Sequence, residues 1–213
     1  MNASIRQFFL GALTATLLLL LGACERTQFT QAPADATGCN AALVGDWLSE
    51  PTEDNAPGEV VAHVGGDCAL QITENDRSPP RQSPPTDLRS AKVGDLDLLW
   101  IDAAWADAAF ELEADAITPG DDSGASDVYL FVWKRDGEQL TLIAPDHHAL
   151  AHSAIDGDIK AEVLRREYEL HVRVREPQAK LQSLLASGKA FGDGSGKGES
   201  LRFVRATGKA GAQ

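Results

Sequence analysis

The chain has 213 residues, of which 32 are acidic and 19 are basic, and its formal net charge is −13. Such an acidic surface repels nucleic acid and anionic lipid headgroups, so neither is an expected partner, whereas a basic protein partner is compatible with it. Hydrophobic residues make up 43% of the chain, which is enough for a single domain with a buried core.

The first segment of the chain is typical of secretion. Arg6 is followed by an uncharged apolar run from Phe8 to Leu21. This run is shorter than the about 20 residues that a membrane-spanning helix needs. We therefore interpret residues 1–23 as a secretory signal peptide rather than a transmembrane anchor.

The signal ends in Leu21-Gly22-Ala23-Cys24, which resembles the lipobox of bacterial lipoproteins. The resemblance implies that Cys24 receives a diacylglyceryl thioether, that the chain is cut before it and that its new amino group is acylated. Glu25, and not an aspartate, follows this cysteine. In lipoproteins of Gram-negative bacteria this implies sorting to the outer membrane, where the protein faces the periplasm.

The polar composition after the lipobox suggests the domain organisation. Residues 25–38 are small or polar and include Pro33, so we expect residues 24–38 to form a flexible tether after the lipidated Cys24. A single β-rich domain is expected over residues 39–208 and a disordered tail over residues 209–213.

The chain has three cysteines, and an odd number in an exported protein would leave one thiol without a disulfide partner. If Cys24 carries lipid, Cys39 and Cys68 remain, and a disulfide between them is expected in an oxidising compartment. The alternative is a pair of buried free cysteines.

The first and last predicted strands carry a possible barrel signature. Gly45-Asp46-Trp47 opens the first, and Ser200–Arg205 is the last, with Leu201, Phe203 and Arg205 on one face. Lipocalins are similar: a Gly-x-Trp indole closes one end of their barrel beneath an arginine of the last strand. The resemblance implies a cation–π contact between Arg205 and Trp47, the alternative being an ordinary core tryptophan. We predict a mainly β fold, with an antiparallel sheet forming a small barrel or sandwich, lipocalin-like in the first case, and two short helices.

Alternating residues predict further strands. Segments 59–64 and 68–73 form a hairpin around Gly65-Gly66-Asp67. The proline-rich segment 75–90 is predicted to be a long exposed loop. Strands are expected over 93–102 and 108–113, where the acid pairs Asp95/Asp97 and Glu111/Glu113 could be catalytic or metal-binding but fit a solvated strand face better.

The Asp136-Gly137 dipeptide predicts a tight hairpin between residues 127 and 144. Pairing outward from it sets Trp133 opposite Leu140 and Phe131 opposite Leu142. Both faces of this hairpin are largely apolar, so we expect it to lie in the middle of the sheet, covered on both sides.

Residues 145–155 contain a predicted helix with His147, His148 and His152. His148 and His152 are one helical turn apart, a spacing that suits two metal ligands, but we find no third ligand and favour exposed histidines. Lys160–Glu176 is predicted to be a strand and Gln178–Ser187 an amphipathic helix. No cofactor is expected.

The glycine-rich segment 192–198 looks like a phosphate loop, but Gly198 stands where serine or threonine should bind magnesium, so a hairpin loop is favoured. We find no complete catalytic set and do not expect an enzyme. The last 90 residues or so also resemble small bacterial lipoproteins of uncharacterised activity.

Two classes of function remain open. One is a lipid-anchored periplasmic binding or structural module, which could hold a small apolar ligand. The other is an inhibitor or immunity lipoprotein that neutralises a secreted basic toxin or enzyme, with acidic loops such as Asp121-Asp122-Ser123-Gly124. A cavity inside the β domain would favour the first class.

Overall fold

The computed structural model describes residues 25–51, 56–110, 127–166, 169–191 and 199–206. The predicted signal peptide, Cys24, the acidic loop at 121–124, the glycine-rich segment 192–198 and the tail 209–213 lie outside these ranges.

Within the described ranges the chain is mainly β, as predicted, with three α-helices. The strands are β1 (Glu25–Phe29), β2 (Gly45–Ser49), β3 (Val60–Val64), β4 (Ala69–Glu74), β5 (Arg81–Gln82), β6 (Thr86–Asp87), β7 (Arg89–Val93), β8 (Leu96–Asp102), β9 (Val128–Asp136), β10 (Gln139–Ile143), β11 (Ala161–Arg165), β12 (Leu170–Val174) and β13 (Ser200–Arg205). The helices are α1 (Ala103–Ala109), α2 (His147–Ile155) and α3 (Gln178–Ala186), with a 3-10 turn at Lys189–Phe191. None of the helices in the described ranges has the length and apolar character needed to cross a membrane.

The strands form one large mixed sheet, and its antiparallel part curls around a shared hydrophobic core. Antiparallel pairing runs in the order β4, β3, β2, β13, β10, β9, β8 and β7. β6 returns to pair with the start of β4, and the chain continues from β6 through Leu88 into β7. The ladder is not closed, because the chain changes its pairing partner at Leu88.

The sheet has two distinct ends. At one end lie the start of β2 and the turn at Gly137, and we call this the closed end. At the other end β8 runs directly into α1, and β10 ends beside the start of β13. We call this the helix end.

Two hydrophobic cores lie on opposite faces of β8 and β9. Strand alternation sends Phe131 and Trp133 into the interior of the curled sheet and Leu130 and Val132 to its outer face. On that outer face β1, β12, α2 and α3 form a second layer. This confirms that the β9–β10 hairpin is covered on both sides.

The tether prediction is wrong for Glu25–Phe29. These residues form β1, which pairs in parallel with β12 and contacts the start of β9. Phe29 is fully buried, and the polar side chains of Arg26 and Thr27 are buried as well. The sequence signal was misleading because Arg26 and Thr27 make the segment look solvated, whereas in the fold they lie against Asp107 and His147. The folded domain therefore includes Glu25–Phe29 and does not begin at residue 39.

The prediction of a long exposed loop over residues 75–90 is also wrong. This segment contains β5, β6 and the start of β7, and it buries Ser83, Leu88 and Ser90. Its prolines lie outside the short strands, so the hydrogen bonds that pair these strands with β4 are made by residues that have a backbone N–H.

Three strand boundaries differ from the predictions. The expected strand 93–102 is broken at Gly94, where β7 turns into β8, so Asp95 lies in an exposed turn while Asp97 pairs with Lys92. The expected strand 108–113 is helical up to Ala109, and Glu111 and Glu113 lie outside the described residues. The expected strand 160–176 is a hairpin of β11 and β12.

The β9–β10 hairpin has the predicted faces but a different register. Leu142 lies opposite Trp133 and Gln139 opposite Asp136, so the turn residues are Gly137 and Glu138. Gly137 has φ +58, as the first central residue of this turn requires. The observed pairing is shifted by two residues from the predicted one. Because side chains alternate between the two faces of a strand, a shift of two leaves every side chain on its expected face.

Candidate ligand cavity

The interior of the curled sheet contains an apolar cavity of about 90 Å³. Every lining residue is hydrophobic. They are Leu43, Trp47, Val60, Ala62, Val64, Leu70, Ile72, Leu88, Leu99, Ile101, Trp105, Phe110, Phe131, Leu140, Leu142, Leu201 and Phe203. Most of these residues alternate along strands, so one face of each strand supplies the wall. A cavity with this lining excludes water and favours apolar atoms.

The predicted cation–π contact between Trp47 and Arg205 is present at the closed end. The Arg205 guanidinium lies 4.5 Å from the centre of the Trp47 ring. Trp47 itself is fully buried and its Nε1 donates to the carbonyl oxygen of Leu43 at 2.7 Å. Arg205 Nη1 donates to the carbonyl oxygen of Val44 at 2.7 Å, which connects β13 to the segment before β2.

Further contacts hold that segment in place. Arg135 Nη1 donates to the carbonyl oxygen of Ala42 at 3.1 Å, and its guanidinium lies 5.8 Å from the Trp47 ring. Cys39 and Cys68 form the predicted disulfide, with their Cα atoms 5.2 Å apart. The disulfide joins the segment before β2 to the residue before β4, so a covalent bond and several hydrogen bonds together stabilise the closed end.

At the helix end, α1 covers the cavity. Asp102 caps the helix by accepting a hydrogen bond from the Trp105 backbone N–H at 2.9 Å. Ala106 is fully buried, and Phe110 follows the helix into the cavity lining. The Trp105 indole Nε1 donates to the carbonyl oxygen of Pro84 at 2.9 Å, and Arg81 donates to the carbonyl oxygen of Ala109. These bonds attach the helix to the β5–β6 region.

A buried polar network joins α1 to β1. The Tyr129 hydroxyl donates to Asp107 Oδ1 at 2.8 Å and accepts from Gln28 Nε2 at 3.0 Å. Arg26 Nη1 lies 3.7 Å from the same carboxylate oxygen of Asp107. Burial, with the negative charge of Asp107, raises the pKa of Tyr129 far above its usual value, so the hydroxyl remains a donor.

The three histidines of α2 have separate surroundings. His147 is buried, and its Nδ1 lies 2.8 Å from the Thr27 hydroxyl. Burial lowers the pKa of His147 to about 4, so the ring is neutral at pH 7. His148 Nε2 lies 2.8 Å from Glu25 Oε1, and His152 is exposed. No group of three potential metal ligands occurs in the described ranges, so no metal centre can be built on His148 and His152 there.

The sequence pattern identified part of the cavity. Alternation places Phe131 on a core face and Phe203 on one face with Leu201, whereas the cover formed by Trp105 and Phe110 was not expected. Phe110 had been assigned to a strand, although the alanine-rich Ala103–Ala109 that precedes it has high helix propensity. Asp102, a good N-cap residue directly before that stretch, was the available signal.

The side chains that line the cavity are all hydrophobic. Its wall presents neither a nucleophile nor an acid or base to a bound molecule. Comparison of the chain with protein-family models, with curated proteins and with solved structures finds no match.

Proposed function

We propose that this protein is a lipid-anchored envelope lipoprotein whose barrel-like domain binds a small apolar ligand. The observation that carries the ligand proposal is the cavity of about 90 Å³ with an entirely hydrophobic wall. The anchor and the outer-membrane location are supported by the resemblance of Leu21-Gly22-Ala23-Cys24 to a lipobox and by Glu25 after it.

The cavity limits what such a ligand would be. A dry cavity of about 150 Å³ lined by similar side chains accommodates benzene. The present cavity is smaller, so it suits a short branched or linear alkyl group, such as the end of an acyl chain. Each methylene group buried in it contributes about 0.8 kcal/mol. A polar head would have to remain outside, because the wall offers no hydrogen-bonding side chain.

The inhibitor alternative has less support. Its acidic loop, Asp121-Asp122-Ser123-Gly124, lies outside the described residues. A protein that acts only through its outer surface does not need an internal cavity, whereas a carrier of apolar molecules does. The cavity therefore favours the ligand-binding proposal.

A cavity-filling substitution tests this proposal. Ala62 lines the cavity from β3, and Ala62→Leu would place extra methyl groups in it. Ala69→Leu is the matched control, because Ala69 is also a half-buried strand alanine but does not line the cavity. Binding of n-pentane would be followed through the indole N–H resonances of Trp47 and Trp105.

We expect saturable shifts for the wild type and for Ala69→Leu, and at least about tenfold weaker binding for Ala62→Leu, equivalent to about 1.4 kcal/mol. Thermal unfolding would verify that both variants are folded. Equal affinity in Ala62→Leu and the wild type, or no saturable shift in the wild type, would contradict ligand binding in this cavity.

A further inference from the structure

The position of Glu25 in the fold bears on how a lipid at Cys24 would hold the domain. Adjacent Cα atoms are about 3.8 Å apart, and β1 begins at Glu25. A lipidated Cys24 would therefore place its acyl chains directly at the start of a strand. The strand is fixed by its parallel pairing with β12, so the domain could not move away from the membrane on a tether.

Glu25 lies at the helix end of the sheet. Its carboxylate is 2.8 Å from His148 Nε2, in the first turn of α2. It also lies close enough to Glu199 to help raise the pKa of that carboxyl, after the larger effect of burial. The Glu199 carbonyl oxygen accepts a hydrogen bond from the Ala144 N–H at 2.9 Å, where β10 ends and β13 begins. These contacts place the expected anchor at the end of the sheet that α1 covers.

The second residue after the anchor contacts α1 itself. Arg26 Nη1 lies 3.7 Å from Asp107 Oδ1, and Asp107 belongs to α1. Since Arg26 is two residues from Cys24, this contact brings α1 to within a few residues' length of the lipid attachment point.

The outer surface of α1 is suited to an interface with lipid. Its sequence is Ala-Ala-Trp-Ala-Asp-Ala-Ala, and its single charged residue, Asp107, is engaged by Arg26 and Tyr129. Ala104 and Ala108 are exposed, and Trp105 is half-exposed beside them. The Trp105 N–H is already donated to the Pro84 carbonyl oxygen, so the exposed part of Trp105 adds apolar surface beside these alanines.

From these contacts we infer that the helix end of the sheet rests on the bilayer that holds Cys24, and that α1 separates the bilayer from the apolar cavity. A ligand of the proposed kind then enters from the membrane past α1 and does not have to cross water. This inference rests on the proposed lipid anchor, and it adds the orientation of the anchored domain and the route to its cavity.

Photo-crosslinking of the lipidated full-length mature protein on phosphatidylcholine vesicles tests the orientation. A benzophenone amino acid would be incorporated at Ala104, exposed on α1, or at Gly66, exposed in the β3–β4 turn near the closed end. A second form of each protein would carry twelve added Gly/Ser residues between Cys24 and Glu25, which restores a tether with an average span of about 20 Å.

We expect crosslinking to phospholipid from Ala104 to exceed that from Gly66 at least tenfold, and the added tether to remove this excess while the protein still floats with the vesicles. Equal crosslinking from the two positions would overturn the orientation while leaving the anchor intact. An excess that survives the added tether would support the orientation and would assign it to the α1 surface itself and not to the short link to Cys24. Failure of the mature protein to float with the vesicles would refute the anchor and, with it, this inference; ligand binding is tested separately by Ala62→Leu.

Discussion

Gly45 shows how a single residue allows the closed end to form. Its φ is +132, in the region that L side chains rarely adopt. An added Cβ would lie 2.5 Å from Arg205 Nη1, well inside van der Waals contact. The glycine therefore gives the guanidinium the room it needs to lie over Trp47 and bind the carbonyl oxygen of Val44.

Gly45→Ala should accordingly lower the free energy of unfolding by about 1–3 kcal/mol, because it combines backbone strain with a clash against Arg205. Urea denaturation followed by tryptophan fluorescence would measure the change. Gly66→Ala is the control, since nothing lies within 4 Å of a Cβ there, and it should stay within about 0.5 kcal/mol of the wild type. A Gly45→Ala protein as stable as Gly66→Ala would show that Arg205 can move aside without cost.

Residues with a recognisable pattern were predictable, and residues that depend on distant partners were not. Trp47 and Arg205 could be paired because each has a defined position, Trp47 in β2 and Arg205 in β13. Arg26 and Thr27 could not be placed in the core from sequence, because their partners, Asp107 and His147, are 81 and 120 positions away. The burial of a polar residue can be inferred only when the partners that bind its polar atoms are known.

At the scale of elements, β1 and α2 meet through a buried polar pair. His147, the first residue of α2, has a pKa of about 4, chiefly because burial disfavours its charged form. Glu25 and Asp146 oppose this effect, while His148 and His171 add to it. The Thr27 hydroxyl lies 2.8 Å from Nδ1 of the ring, so protonation of His147 would place a positive charge in this buried contact between strand and helix.

This pKa predicts a pH dependence of stability. The unfolded chain takes up the proton near pH 6.5 and the folded protein only near pH 4. The contribution of neutral His147 is therefore complete above pH 6.5 and is lost as the pH falls toward 4, amounting to about 3 kcal/mol. Chemical denaturation between pH 7 and pH 4 should show this loss in the wild type and a smaller one in His147→Gln.

The neighbouring variant His152→Gln is the control for that measurement. His152 is exposed on the same helix, so its replacement should leave the slope of stability against pH as in the wild type. Identical slopes for His147→Gln and the wild type would mean that the buried histidine is not the source of the pH dependence.

Elements with local signals were predicted better than elements that depend on the rest of the sheet. The β3–β4 hairpin, the Leu181/Leu185 face of α3 and β13 were found from turn residues and periodicity. The β9–β10 faces were correct despite a register shift of two residues, because side-chain orientation repeats every second residue. β5 and β6 are two residues long each, too short for a periodic pattern, and they form because β4 offers them an edge.

At the scale of the whole molecule, the second hydrophobic layer links β1 to the curled sheet. β1 lies between β12 and β9, so the start of the domain is held by the insertion between β10 and β13. The curled sheet and its cavity form the first core, and the layer with β1, β12, α2 and α3 forms the second. In this arrangement the residue after Cys24 is part of the folded domain, so the proposed lipid at Cys24 would hold the domain close to a membrane.

Cys24→Ser tests that chemistry. A serine hydroxyl cannot form the thioether that lipoprotein processing requires, and stable anchoring needs more than one acyl chain. We expect the amount of the mature, diacylated and N-acylated form to fall at least about tenfold and an uncut precursor containing residues 1–23 to accumulate, as measured by mass spectrometry of the intact protein.

The double variant Cys39→Ser/Cys68→Ser serves as the control, because it removes the disulfide cysteines and leaves Cys24 in place, so its remaining protein should be fully lipidated. Cleavage and acylation of Cys24→Ser at the wild-type level would contradict the lipid anchor and remove the reason for placing the helix end of the sheet on a membrane.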